Sequence, residues 1–298
     1  MSVEPNPAAP VSVPDALPAA TWRSRYPASV LVCIAFLALV FLSAIFTEEI
    51  APYSYTAQDL LNRLKPPVFM GGLPRYLLGT DELGRDLLSR LLYATRFSVV
   101  IALVGTAIAA VIGTFAGIVA AHFRGLAEEA IMMLVDVQAS LPFMIIALFV
   151  LGFFGSGLTI FVIVMGIRGW ETYARLTRGM VISAATHGYI VAVKALGARP
   201  GRIYVRHVLP NILSVLIVQF TLNFPMTILL ETSLSFLGLG IQPPLTSLGQ
   251  MLGAGRSYLT SAWWIAVLPG TVIFLTTLAI SILGDWLRDR LDPTLRGR

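Results

Sequence analysis

Lys194, Arg199, Arg202 and Arg206 fall within one stretch, Tyr189 to Asn211, which reads YIVAVKALGARPGRIYVRHVLPN between two long apolar runs. Cations carried on short helices can dock against a partner's surface, so the chemistry this spacing offers is recognition rather than bond making. Ser183 to Leu196 holds good helix formers and no proline, and Gly197 suits a helix stop. Pro200 can begin a second short helix, and Pro210 marks entry into the next apolar span. Two short helices about a glycine hinge make a lever that can pass rigid-body motion into the spans attached to it. A surface hairpin with no partner is the plainer alternative.

The residues of common catalytic sites are missing. There is no G-x-x-x-x-G-K-[ST] phosphate loop, and neither lysine, Lys65 nor Lys194, follows a glycine. His122, His187 and His207 lack metal-ligand spacing, and no Gly-x-Ser-x-Gly elbow occurs. The expectation is a chain that is not an enzyme and binds no cofactor itself. Any nucleotide site then belongs to another polypeptide.

A second polar set lies deeper. Gln219 and Asn223 are four residues apart and share a helical face, with Thr227 next along it and Pro225 expected to kink the helix. Polar groups at membrane depth face the protein interior or a wet passage. Interhelical hydrogen bonding and the lining of a wet passage through the membrane are both open for these three. Asp136 and Glu171 read as structural partners for Arg175 or Arg178.

Long apolar elements must position these residues. The 298-residue chain is 56% hydrophobic and 12% charged, against roughly 25% charged for soluble domains. The fold class expected is all-α integral membrane with six transmembrane helices: Ala28–Phe46, Ser98–Ala121, Ile131–Phe154, the weaker Leu158–Trp170, Ile212–Leu230 and Trp264–Leu283. Thr47-Glu48-Glu49 after the first run argues for an uncleaved anchor rather than a signal peptide. With the N-terminus inside, fourteen of the 21 basic residues lie in cytoplasmic segments, from Arg23 and Arg25 to Arg296 and Arg298. The net charge of +5 is thereby a topology signal toward anionic membrane lipid, and nucleic acid is not an expected partner. The single Cys33 lies in an apolar run and supports no disulfide.

The expected organisation is a disordered tail over 1–26, a transmembrane helix over 27–46, a periplasmic segment over 47–95, a transmembrane core over 96–285 and a cytoplasmic tail over 286–298. Pro66-Pro67 and Gly71-Gly72 argue for irregular structure outside the membrane, followed from Gly84 by a surface amphipathic helix. That helix would set Leu87, Leu88, Leu91 and Leu92 opposite Arg85, Ser89 and Arg90. Gly105, Ala109, Gly113 and Gly117 form a small-residue ridge, suited to intrachain packing before a second subunit.

The stretch around Gly197 resembles the "EAA" loop of bacterial ABC importer permeases. Leu78–Ser98, Glu231–Pro244 and Leu283–Arg296 are similar to further blocks of the second permease of dipeptide, oligopeptide and nickel importers. The resemblance implies a type I importer permease fold with a cytoplasmic coupling-helix loop, in a multi-pass protein of the bacterial inner membrane. It implies an ATPase-coupling set of Tyr189, Val191, Ala192, Val193, Lys194, Gly197, Ala198, Arg199, Leu209 and Pro210. The partners it implies are a second permease, two ATP-binding subunits that carry ATP and Mg, and a periplasmic or lipid-anchored substrate-binding protein. Short peptides are the expected cargo, with nickel, glutathione or another small solute as alternatives. An ion-coupled secondary transporter or a scaffold is the rival from another class. One departure stands out: Val191 occupies the family's glutamate position and Val193 its second alanine.

Overall fold

The computed structural model describes residues 27–291, so Arg23, Arg25, the tail over 1–26 and the end of the chain from 292 lie outside the described residues. The first helix, α1 (Ala28–Ile45), is apolar but for Ser29 and Ser43 and packs on the last, α12 (Trp264–Leu291). A short turn, α2 (Thr47–Ile50), closes it, with the Thr47 hydroxyl donating 2.6 Å to the Ser43 carbonyl. Next comes an irregular block containing two 3-10 turns, at Leu60–Asn62 and Val68–Met70. The Asp59 carboxylate pins this block by accepting from Asn62 at 2.7 Å and from Tyr76 at 3.0 Å. Both bonds favour the ionised form and hold that carboxyl below the usual range.

The amphipathic segment expected at the membrane surface is instead the first part of a longer helix. α3 runs unbroken over Leu87–Phe123, a length of about 55 Å that exceeds any bilayer core. Asp86 caps it, accepting the Ser89 backbone N–H at 2.8 Å. The supposed polar face is also turned inward. Arg90 is only 4% exposed and Ser89 is buried, because Asp81 supplies the arginine's counter-charge and Asp86 accepts the serine hydroxyl. The alternation of Leu and Arg recorded two buried faces rather than one buried and one solvated.

α4 (Gly125–Ser140) and α5 (Phe143–Phe154) correct the expected single span Ile131–Phe154, since they meet at 90°. Pro142 causes the break. Its ring pushes Leu141 out of the helical region to φ −96°, ψ 134°, and a new helix then begins behind the proline. The weak span Leu158–Trp170 is similarly shorter than expected. α6 (Leu158–Ile167) stops at Arg168-Gly169, and α7 (Trp170–Ala185) starts after them. α8 (Gly188–Ala195) and α9 (Pro200–Ile203) follow, then α10 (Leu209–Phe236), α11 (Leu248–Gly255) and α12. Among the described residues, four helical stretches are long and apolar enough to cross a membrane: Ala28–Ile45, Leu87–Phe123, Pro200–Phe236 and Trp264–Leu291. The bent α4–α5 pair makes a fifth if taken as one span, against six expected.

The small-residue ridge on α3 packs within the chain. A Cβ on Gly113 would stand 2.3 Å from the Trp170 carbonyl oxygen, and one on Gly117 2.5 Å from that of Ala174. α3 and α7 therefore touch backbone to backbone. This is the close approach through which helices associate where lipid supplies no hydrophobic drive. A separate core joins α1, α3, α10, α11 and α12 around Leu87, Phe224, Ile228, Met251 and Ile265. Within it Glu231 is wholly buried, accepting from Ser98 at 3.0 Å and from Ser235 at 2.8 Å. Ser98 in turn accepts the Leu248 backbone N–H at 3.1 Å, so one carboxyl ties α3, α10 and α11 together. Glu231→Leu would leave two buried hydroxyls without an acceptor and is expected to cost about 3 kcal/mol. A fall in the melting temperature of the purified protein would report it, with Glu231→Gln milder.

Candidate functional site

The stretch from Thr186 to Pro210 folds as two short helices, and its backbone chemistry explains why. α8 ends where Gly197 takes φ +79°, a conformation costly for residues with a Cβ. Two bonds close the helix end around it: Gly197 N–H to the Lys194 carbonyl at 3.0 Å and Ala198 N–H to that of Val193 at 3.4 Å. This is the paired closure of a Schellman turn. Pro200 then opens α9 at a position where its missing N–H costs nothing.

Pro210 is the second residue of α10, at the entry to that span as expected. The helical backbone also continues into it from Pro200, by way of a wide π turn at Tyr204–Val208. A proline within a helix would drive its ring into the carbonyl four residues back, and the wider turn relieves that clash. The same continuity makes α9 the end of the long α10 rod. Movement of the hairpin is thereby movement of α10.

The hairpin is anchored on one side and bare on the other. Ile190 and Ile203 are buried, and Val193, Ala198 and Leu209 pack partly against the cluster formed by Val181, Val208 and Ile212. Asn211 donates a short hydrogen bond to the Tyr189 hydroxyl, joining the two ends of the stretch. His122 and Tyr204 pair at 2.9 Å, linking the end of α3 to the π turn. The rest of the chain leaves Val191 54% exposed and Leu196 87%, with Tyr189, Ala192, Lys194, Gly197, Arg199 and Pro210 exposed as well. An apolar strip edged by two cations suits burial against another protein.

α7 leads into this hairpin and is fastened to α4 by charge. Arg175 meets Asp136 at 2.9 Å, as expected, whereas Arg178 pairs closely with Glu128. Glu171 takes neither arginine; it lies 3.4 Å from the Gln138 amide nitrogen. Gln138 also accepts from Trp170 Nε1 at 2.7 Å. Asp136 and Arg175 are both more than half exposed.

The second polar set divides. Thr227 is wholly buried, 3.2 Å from the Thr106 hydroxyl in the contact between α10 and α3. Asn223 is buried as well and accepts from Arg168 at 2.8 Å. Gln219 alone is partly open. Arg168, counted from the sequence among the cytoplasmic cations, is instead turned onto the buried Asn223 beside the Gly169 break. The Asp81–Arg90 pair and the Glu231 cluster escaped the sequence reading.

The family model for the binding-protein-dependent transport system inner membrane component matches residues 113–297. The model for the N-terminal TM domain of oligopeptide transport permease C matches residues 29–67. The di/tripeptide transport system permease protein DppC of Pseudomonas aeruginosa is 42% identical, over 88% of this chain and 86% of its own length. The dipeptide transport system permease protein DppC of Haemophilus influenzae is 35% identical, over 89% and 90%. The glutathione transport system permease protein GsiD of Pectobacterium atrosepticum is 36% identical, over 88% and 85%. Among solved structures, an inward-facing MetNI methionine ABC transporter aligns at a TM-score of 0.54 with 19% identity, covering 69% of this chain and 98% of that one. That likeness shows the fold alone.

Proposed function

The chain belongs to the family of binding-protein-dependent transport system inner membrane components, and from that premise we propose that it forms half of the path by which short peptides enter a bacterial cell. Its relatives named for dipeptides and di/tripeptides match nearly the whole chain, which supports peptide cargo. Glutathione is the second reading, favoured by a glutathione permease of similar identity. The two are close in chemistry, since glutathione is itself a tripeptide. The rival readings, an ion-coupled carrier or a scaffold, give way to this one.

In this proposal the hairpin from Tyr189 to Pro210 is the seat of an ATP-binding subunit, and ATP with Mg is held and hydrolysed there rather than here. The observation that carries it is the bare strip of Val191, Ala192, Lys194 and Leu196 on a hairpin fixed to two long helices. Val191 replaces the family carboxylate with an apolar surface, so coupling at that point rests on buried contact area rather than a charge-assisted bond. Force on the hairpin passes along α10 and, through α7, to α3 across the glycine ridge. Such a rigid linkage converts closure of two ATPases into rearrangement of the path between two permeases. Gln219, open on α10, is the path residue; Asn223 and Thr227 brace the wall behind it. The six-span organisation, with α6 and α7 together completing the crossing, and the external position of residues 47–86 belong to the same proposal. A substrate-binding protein would meet the chain on that external side.

Affinity purification of this chain from cells expressing its gene neighbourhood is expected to bring down a second permease and an ATPase. Proteoliposomes of that assembly, given the binding protein, should take up labelled dipeptide only with ATP. Uptake by the chain alone on an ion gradient would overturn the reading.

A further inference from the structure

The end of α3 and the hairpin enclose a cavity of about 330 Å³. Its wall carries His122, Arg124 and Lys194, and among the described residues no carboxylate lines it. All three side chains are exposed, and neither Arg124 nor Lys194 forms an ion pair among the described residues. The His122 ring meets the Tyr204 hydroxyl at 2.9 Å, and the Arg124 charge acts on that same hydroxyl. Arg124 is held at φ +51°, ψ −171°, a backbone region that is essentially glycine's. Such strain in a residue with a Cβ clusters at ligand clamps and switch regions.

The same side of α3 leads into a second space. Val111, Phe115, Ile118 and His122 stand three or four residues apart and so share one helical face. The first three, with Leu213 and Ile217 of α10, line an apolar groove of about 460 Å³ between the two helices. We propose that cavity and groove together hold one anionic phospholipid of the cytoplasmic leaflet. Its phosphate sits among His122, Arg124 and Lys194, and one acyl chain lies between α3 and α10. Cations without counter-charges suit the headgroup, the apolar groove suits the chain, and a phospholipid joins the two in one molecule. Basic pockets between transmembrane helices on the cytoplasmic side take lipid headgroups in this way. Depth agrees as well. The groove residues of α3 fall within the apolar run Ser98–Ala121, whereas His122 and Arg124 follow its end. A phosphate there would brace the hairpin against α3, making coupling responsive to the charge of the membrane. The site rests on the cytoplasmic placement of the hairpin proposed above.

Native mass spectrometry of the complete assembly, delipidated in detergent and titrated with phosphatidylglycerol or phosphatidylcholine, tests the proposal. Phosphatidylglycerol is expected to bind at least about tenfold tighter. Arg124→Gly should weaken that binding about tenfold, because a charge-assisted contact to phosphate is lost. Glycine also suits the backbone at this position, so the melting temperature should hold or rise, which separates lost binding from misfolding. Arg202→Gln removes an equal charge from the same hairpin but off the cavity wall, and should bind as the wild type does. Equal affinity for the two lipids would overturn the site, as would equal losses in the two variants. Absence of bound lipid from the intact assembly, meaning that the ATP-binding subunit itself fills the cavity, would overturn it too. ATP-driven dipeptide uptake in the same preparation reports separately on transport, so the lipid site can fail while the transport reading stands.

Discussion

Gly197→Val is expected to lower ATP-driven peptide uptake about tenfold while leaving the membrane spans folded. At φ +79° a β-branched residue is a severe outlier, and a left-handed conformation costs L-residues about 1–2 kcal/mol. That is close to a factor of ten in an equilibrium between a formed and an unformed turn. No atom lies within 4 Å of a Cβ built on Gly197, so the penalty is conformational rather than steric. It falls on the turn that orients Val191 and Leu196 relative to Arg199. Asn tolerates this region far better than Val, and Gly197→Asn should keep most of the uptake. Uptake and stimulated ATP hydrolysis, measured in one preparation, should fall together in the valine variant. Wild-type values for both would mean that the hairpin transmits nothing.

Gly113→Leu is expected to be more damaging and in a different way. Its side chain would have to displace the Trp170 carbonyl at 2.3 Å and the Tyr173 Cβ at 2.5 Å. Backbone cannot yield as a flexible side chain can, so α3 and α7 must part along the ridge. Overpacking typically costs 1–3 kcal/mol, occasionally more, and here the opened seam also leaves the Gly117–Ala174 approach unfilled. A loss of about 3 kcal/mol or more should appear as a collapsed melting temperature and little monodisperse protein. Gly179→Ala is the matched control, since nothing lies within 4 Å of its added Cβ on the same α7. It should be neutral or slightly stabilising. Equal behaviour of the two variants would refute the ridge as the main seam.

What could be read from the sequence was what local chemistry decides. Gly197 and Pro200 announced the hairpin because a left-handed stop and a helix start are properties of single residues. The apolar runs of α1, α10 and α12 were plain because length and composition suffice to cross lipid. The ridge from Gly105 to Gly117 was legible as a packing surface because four-residue spacing puts small residues on one face. Pro142 was overlooked inside an apolar run whose hydropathy hid the bend. The start of α3 was misread because its polar face looked solvated; only the fold shows Asp81 reaching Arg90. Glu231 was beyond reach for a similar reason, as Ser98 lies 133 positions away and no periodicity links them. The polar trio on α10 divided because exposure along a helix depends on which neighbour covers it, and Thr106 covers Thr227.

If an ATP-binding subunit seats on this hairpin, a thiol placed there must lie within reach of that subunit. Cys33 is the chain's one cysteine, so a Cys33→Ala background permits a single new thiol at Val191. In membranes carrying the complete assembly, Val191→Cys should crosslink through a short bifunctional reagent to the ATP-binding subunit, with a yield that changes when ATP is added. Labelling of that thiol from outside the cell, with no crosslink to the ATPase, would contradict the account.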